Sequence, residues 1–167
     1  MRLRSLFLLF GFTIISFFVK GQDDENHHCF LPEKSYSIGG SVAYPLAFAT
    51  TGINIRAYRN INHNFCFGPE VSYFYKSAED NLFDFDFVAH YIFDIKPIEI
   101  GFYPVAGVNY AIENTPKHLE AEVAYGAIVG AGLHRNFNKF TLFAEYGHIF
   151  SALKENQFLA GFLYTIK

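Results

Sequence analysis

Tryptophan is absent from the 167-residue chain, and cysteine occurs only twice. The aromatic content is nevertheless 19%, carried by 21 Phe and 11 Tyr, which is unusual for a soluble domain. Basic residues are too few for a nucleic-acid footprint, with 13 Lys and Arg against 16 Asp and Glu. No phosphate-cradling glycine loop, zinc-type spacing or nucleophile elbow is present, so chemistries that depend on those motifs have no support. No apolar run reaches the roughly 20 residues that a spanning helix requires. Repeats, low-complexity tracts and shifts in composition are also missing, which points to one domain.

What is present begins with a leader. Arg2 and Arg4 precede an apolar run of about 14 residues, "LFLLFGFTIISFFV", and Val19-Lys20-Gly21 offers small residues near a cut before Gln22. Residues 1–21 are therefore expected to be a signal peptide, with an uncleaved anchor as the alternative. Asn26-His27-His28 is too polar to make Cys29 a bacterial lipidation site. Losing Arg2, Arg4 and Lys20 leaves ten basic against sixteen acidic residues, a net charge of −6. Residues 22–34, "QDDENHHCFLPEK", read as a polar tail. In an oxidising compartment Cys29 and Cys66 could form a disulfide, since the expected topology puts both near one rim. Two free thiols are the alternative.

From residue 35 onward, alternation with period two dominates. In "LFDFDFVAHYIFD", Phe83, Phe85, Phe87, Ala89, Tyr91 and Phe93 share one face, and Asp84, Asp86, Val88, His90 and Ile92 share the other. Eight such strands are expected, at about 35–44, 51–59, 65–75, 82–93, 98–110, 120–134, 139–149 and 157–166. Each splits into an apolar set and a polar or small set. Pro69 and Pro104 fall inside strands, where local bulges or displaced strand boundaries would have to absorb the missing N–H.

Periodicity alone leaves the inside undecided. A soluble carrier of the lipocalin kind would turn the apolar face inward. An eight-stranded interior, however, is only wide enough for filling side chains or one small ligand, and the aromatics here are too many for it. About ten of the 13 glycines also fall on the polar face. Glycine weakens a water-facing strand to no purpose, but in a tight lumen it leaves room for charged side chains. The apolar face is therefore expected to point outward, toward lipid.

The roughly 146 residues after the leader accommodate eight strands of about 9–11 residues. Short connections, "NINHN" (60–64), "DIKP" (94–97) and "NFN" (136–138), alternate with longer ones such as "AIENTPKHL" and "SALKENQ". Together these features resemble the small eight-stranded outer-membrane barrels of the OmpA and OmpX type, over about residues 35–167. The resemblance implies an all-β, antiparallel, up-and-down transmembrane barrel in a bacterial outer membrane, with both termini periplasmic. It implies a monomer whose partners are outer-membrane lipid, lipopolysaccharide and the barrel-insertion machinery, with no nucleic acid. The chain departs from the pattern in ending Tyr164-Thr165-Ile166-Lys167 rather than in an aromatic residue. With no Trp, the girdle falls to Tyr44, Tyr73, Tyr75, Tyr91, Tyr110 and Tyr146.

The inward set contains Arg56, Glu70, Asp84, Asp86, His90, Glu99, Glu122, His134 and Glu145. Buried charges need partners, so a lumen network centred on Arg56 is expected, with Glu70 and Glu145 at similar depth. Polar filling is the leading reading, and a gated ion or proton path involving His90 is the other. His148, Ser151 and Glu155 faintly resemble the lipid A deacylases, which would make the chain a lipid-modifying enzyme. The spacing of three sends His148 and Ser151 to opposite faces unless a bulge intervenes. Asp80, Asp84 and Asp86 could suggest calcium, but strand alternation explains Asp84 and Asp86 without it. His27-His28-Cys29 could capture a soft metal, although an exposed tail accounts for it. No cofactor, metal site or catalytic residue is expected, and the leading role is structural or one of surface interaction.

Overall fold

The computed structural model describes residues 31–46, 50–75, 81–95, 98–114, 122–152 and 155–166. Nine strand segments follow the chain: β1 (Tyr36–Pro45), β2 (Gly52–Asn60), β3 (Phe65–Tyr75), β4 (Asn81–Tyr91), β5 (Phe93–Ile95), β6 (Ile100–Asn114), β7 (Glu122–Phe137), β8 (Phe140–Phe150) and β9 (Glu155–Ile166). Every ladder is antiparallel. Sequence neighbours pair in order, β9 returns to β1, and β4 pairs with β6. The sheet therefore closes on itself.

β4 and β5 are one barrel strand interrupted at Ile92. His90 faces Val105 and Phe93 faces Phe102, so the register against β6 runs through the gap unchanged. The unpaired positions are those opposite Pro104 and Tyr103, because Pro104 has no N–H to give to Tyr91. On the other side Ile92 stays in register with β3, its N–H donating to the Asn64 carbonyl at 2.6 Å. Pro69 does the same on a smaller scale. Arg56 faces Glu70 and Arg59 faces Phe67, with Ala57 and Tyr58 skipped between them. Beside Pro69, a Cβ on Gly68 would lie 1.9 Å from the Ala57 carbonyl oxygen, so only glycine fits that approach. The expected bulges are thus absent here. Each proline is absorbed by unmade ladder bonds at constant register.

The barrel strands number eight, as the alternation predicts, and their ends shift by a few residues. β6 continues to Asn114, so Ala111 to Asn114 are strand rather than loop. Stepping across successive ladders from Tyr36 leads to Arg59, Phe67, Ala89, Ala106, Val129, His148 and Asn156. The circuit meets β1 again at Leu46, whose N–H donates to the Asn156 carbonyl at 2.7 Å, ten residues above its start. For eight strands that stagger corresponds to a tilt of about 40°, within the range of closed barrels.

The two faces sort as expected. Outward positions expose Ile53, Ile55, Phe85, Phe87, Val108, Leu142 and Phe162. Cross-strand aromatic pairs, Tyr73–Phe83 at 4.7 Å, Tyr110–Tyr125 at 5.0 Å and Tyr146–Phe158 at 5.0 Å between ring centroids, knit this surface together. Inward positions form three zones. At the loop end, apolar Ala43, Phe74, Leu82, Ala111, Ala124 and Ile149 are buried. Charges occupy the middle. At the turn end, beside the Ile61–Asn64 and Asn138–Lys139 connections, Ser37, Asn60 and Thr165 are buried. There Ser37 bonds Thr165, and Asn60 donates to Ser37 at 2.9 Å.

Several inward glycines accommodate aromatic rings more than charges. A Cβ on Gly132 would lie 2.3 Å from the Tyr103 ring, and one on Gly101 would lie 2.3 Å from His134.

Candidate functional site: the charged interior at mid-barrel

Arg56 is the only buried Lys or Arg among the described residues. Strand register explains its first partner, because Arg56 on β2 faces Glu70 on β3 directly. Its Nη2 lies 2.9 Å from Glu70 Oε2, an ion contact that falls short of hydrogen-bond geometry. Its Nη1 donates to Glu145 Oε2 at 3.3 Å across the lumen, and its Nε donates to Asn54 Oδ1 at 2.8 Å. The guanidinium also lies over the Phe143 ring, 4.3 Å from the centroid.

Each carboxylate has further donors. Glu70 accepts from the Tyr58 hydroxyl and, at 3.0 Å, from Asn54 Nδ2. Glu145 accepts from the Tyr103 hydroxyl at 3.1 Å. Asn54 also donates to Ser72 at 2.9 Å, extending the network toward the loop end. Asp86 faces Glu70 in the β3–β4 register and accepts from Asn109 at 2.7 Å. Asp84, opposite Ser72, is buried one step further toward the loop end.

The structure brings Arg56, Glu70 and Glu145 into contact in the lumen. Asp84, Asp86, His90 and His134 are also interior. His90 stands at the edge of the cluster. Its Nε2 is 4.0 Å from Glu145 Oε2, too long for a hydrogen bond, and its Nδ1 is 3.7 Å from Cys66 Sγ.

Glu99 and Glu122 do not belong to the network. Glu99 sits in a turn with φ 51° and pairs with exposed Arg135 at 2.8 Å. Glu122 is exposed at the first position of β7, opposite Glu113. Parity misassigns both because the pleat governs side-chain direction only where a strand is flanked on both sides. Asn54, Tyr58, Tyr103 and Phe143 complete the site and were not singled out from the sequence. Asn54 and Tyr58 flank Arg56 two residues away on its own face, which was the available signal.

Glu70, His90 and Glu145 offer ligand atoms within 4.8 Å of one another. Arg56 already contacts both carboxylates, so these residues fit a guanidinium as their resident cation better than a metal ion. Asp84 and Asp86 face the lumen as alternation requires; Asp80, His27, His28 and Cys29 lie outside the described residues. Cys66 is a buried thiol, and its expected pairing with Cys29 falls outside the described residues for the same reason.

The deacylase-like set is not assembled. His148 lies on the outward face of β8, its Nδ1 2.5 Å from Asn156 Oδ1, which also accepts from Tyr146 at 2.8 Å. Ser151 follows the end of β8 on the inward parity, next to Gly126. Only the backbone of Glu155 is described, paired with Ile149.

A closed antiparallel barrel of eight strands, apolar outside and charged within, is a transmembrane β-barrel. Known structures share this fold. The N-terminal β-barrel domain of Pseudomonas aeruginosa OprF superposes with a TM-score of 0.64 at 14% identity, covering 80% of this chain and 98% of that one. Neisserial surface protein A gives 0.58 at 15% identity, over 78% and 94% of the two chains. Ail, the attachment invasion locus protein of Yersinia pestis, gives 0.55 at 18% identity, over 81% and 100%. Neither a protein-family model nor a curated protein sequence matches the chain.

Proposed function

We propose that this protein is an outer-membrane barrel with a closed, polar lumen and a structural or surface-interaction role. The observation that carries the reading is the filled interior. Around Arg56, Cys66, His90 and Phe143 there is a cavity of about 10 Å³, room for roughly one water. An eight-stranded circumference supports the same conclusion, since aqueous channels belong to much larger barrels. The lumen network of Arg56, Glu70 and Glu145, with Asp84, Asp86 and His90 around it, then serves as filling that fixes the strands relative to one another.

Outer-membrane placement draws support from the solved barrels that share the fold. Two of them carry surface or attachment in their names, which favours a surface-facing role here. In this reading both termini are periplasmic, and the chain is a monomer in contact with outer-membrane lipid and lipopolysaccharide. The barrel-insertion machinery delivers it. Fractionation of a Gram-negative host expressing the full chain tests the proposal. An outer-membrane band that changes gel mobility on boiling, with no conductance in planar bilayers, is the expected result. A soluble periplasmic protein would overturn the placement, and steady conductance would overturn the closed lumen.

A further inference from the structure

Residues 31–35, just before β1, do not hang free of the barrel. Leu31 is only 3% exposed, and its side chain lines the interior cavity together with Arg56, Cys66, His90 and Phe143. It reaches that position through a reversal at Lys34, whose φ of 53° lies in the left-handed region. The Ser35 carbonyl accepts from the Asn60 N–H at 2.9 Å, and Ser35 Oγ accepts from Asn60 Nδ2 at 2.7 Å. Ser35 Oγ in turn donates to the Pro32 carbonyl. On the rim, His63 lies 3.2 Å from the Leu31 carbonyl oxygen and 3.5 Å from Glu33.

We propose that residues Leu31 to Lys34 form a removable stopper, hinged at Ser35, which the chain seats in the turn-end mouth of its own barrel to close off the Cys66–His90 pair. Three features argue for a stopper in place of a fixed part of the wall. The segment belongs to no strand ladder, since the β1–β2 pairing ends at the backbone bond between Ser35 and Asn60. Its outer contacts, His63 and Glu33, are about half exposed. Its one deeply buried side chain, Leu31, is apolar, while the equally buried Ser35 stays bonded to Asn60 as the hinge, so withdrawal leaves no interior charge without its partner. Segments with few buried contacts and no ladder open at lower free energy than the sheet they rest on. Opening would admit small molecules to a chamber bearing a thiol and two imidazoles, those of Cys66, His90 and His134. Arg56, which lines the same cavity, would keep its carboxylate partners.

Cys66 supplies the test. With Cys29 changed to Ser, it is the only thiol in the chain. The probe is N-ethylmaleimide, which adds the thiol sulfur to one alkene carbon and the proton to the other. Labelling of the folded full chain in detergent is followed by intact mass. The parent should label slowly. Leu31→Asp, which disfavours insertion, and Lys34→Pro, which forbids the left-handed turn, should each label at least tenfold faster while keeping the folded gel mobility. Unchanged slow labelling in both folded variants overturns the stopper, since something else then shields Cys66. Labelling of the parent as fast as in the unfolded chain overturns it equally. Loss of the folded band in both variants would make the segment an obligate part of the fold and also end the proposal.

Discussion

Removing the Arg56 guanidinium would leave Glu70 and Glu145 facing each other in the lumen, each about 5% exposed, with no buried cation among the described residues. Breaking a buried ion pair from one side typically costs about 3–5 kcal/mol, because the remaining charge is stranded. Arg56→Ala is therefore expected to unfold at markedly lower denaturant, and Arg56→Met with Glu70→Gln and Glu145→Gln to recover part of the loss. Without Trp, unfolding is best followed by circular dichroism or the boiled-against-unboiled gel shift. Equal midpoints for Arg56→Ala and the parent would remove the network from the fold's stability. The inward glycines give a graded companion test. At Gly147 an added Cβ finds nothing nearer than 3.7 Å, at Gly132 it meets the displaceable Tyr103 ring, and at Gly68 it meets backbone. Substitution by Ala should thus be nearly silent at Gly147, cost about 1–3 kcal/mol at Gly132, and cost most at Gly68. Any other order would mean that ring and backbone yield differently from what their contacts imply.

At the scale of the element, alternation made the strands legible because one face meets lipid and the other a lumen, so every residue carries information about its side. Arg56, Glu70 and Glu145 could be placed inside for that reason. Their mutual contact could be anticipated only in part, because Arg56–Glu70 is a neighbouring-strand pair whereas Arg56–Glu145 spans the barrel. Glu99 and Glu122 were misplaced where strands end and alternation no longer dictates direction. For the prolines the sequence leaves bulges and displaced strand boundaries both open, since it shows the missing donor but not whether the register absorbs it. Pro104→Ala tests the observed answer. The restored N–H faces Tyr91, so β4 and β5 should join into one continuous ladder with β6. Hydrogen exchange should show a newly protected amide at position 104, with stability changed by no more than about 1 kcal/mol. A shift of Phe93 away from Phe102 would show that Pro104 sets the register rather than merely interrupting it.

For the whole molecule, closure is what turns two-sided strands into a membrane protein. Closure with a ten-residue stagger leaves no strand edge free among the described residues, so apart from the groups facing Pro69 and Pro104 the backbone is satisfied within the sheet and the outer surface can meet hydrocarbon. Nothing in the linear sequence announces that stagger, which arises from the sum of eight local registers. The apolar exterior makes the opposite demand on substitution from a soluble barrel. Phe87 lies near the middle of β4, 50% exposed, between Pro69 and Val108 on the neighbouring strands. An arginine there in lipid vesicles should cost about 2–4 kcal/mol, the depth-dependent penalty of a charge on a barrel's lipid face. Near the strand ends, at Tyr36 or Tyr75, the same change should cost about 0–1 kcal/mol. On a soluble barrel all three would be ordinary surface positions, and Arg would be tolerated equally at each. The measurement is reversible urea unfolding of the three variants in the same vesicles. A midplane penalty that fades toward both ends requires lipid around the Phe-rich face. A flat profile would return that face to water and, with it, the whole molecule.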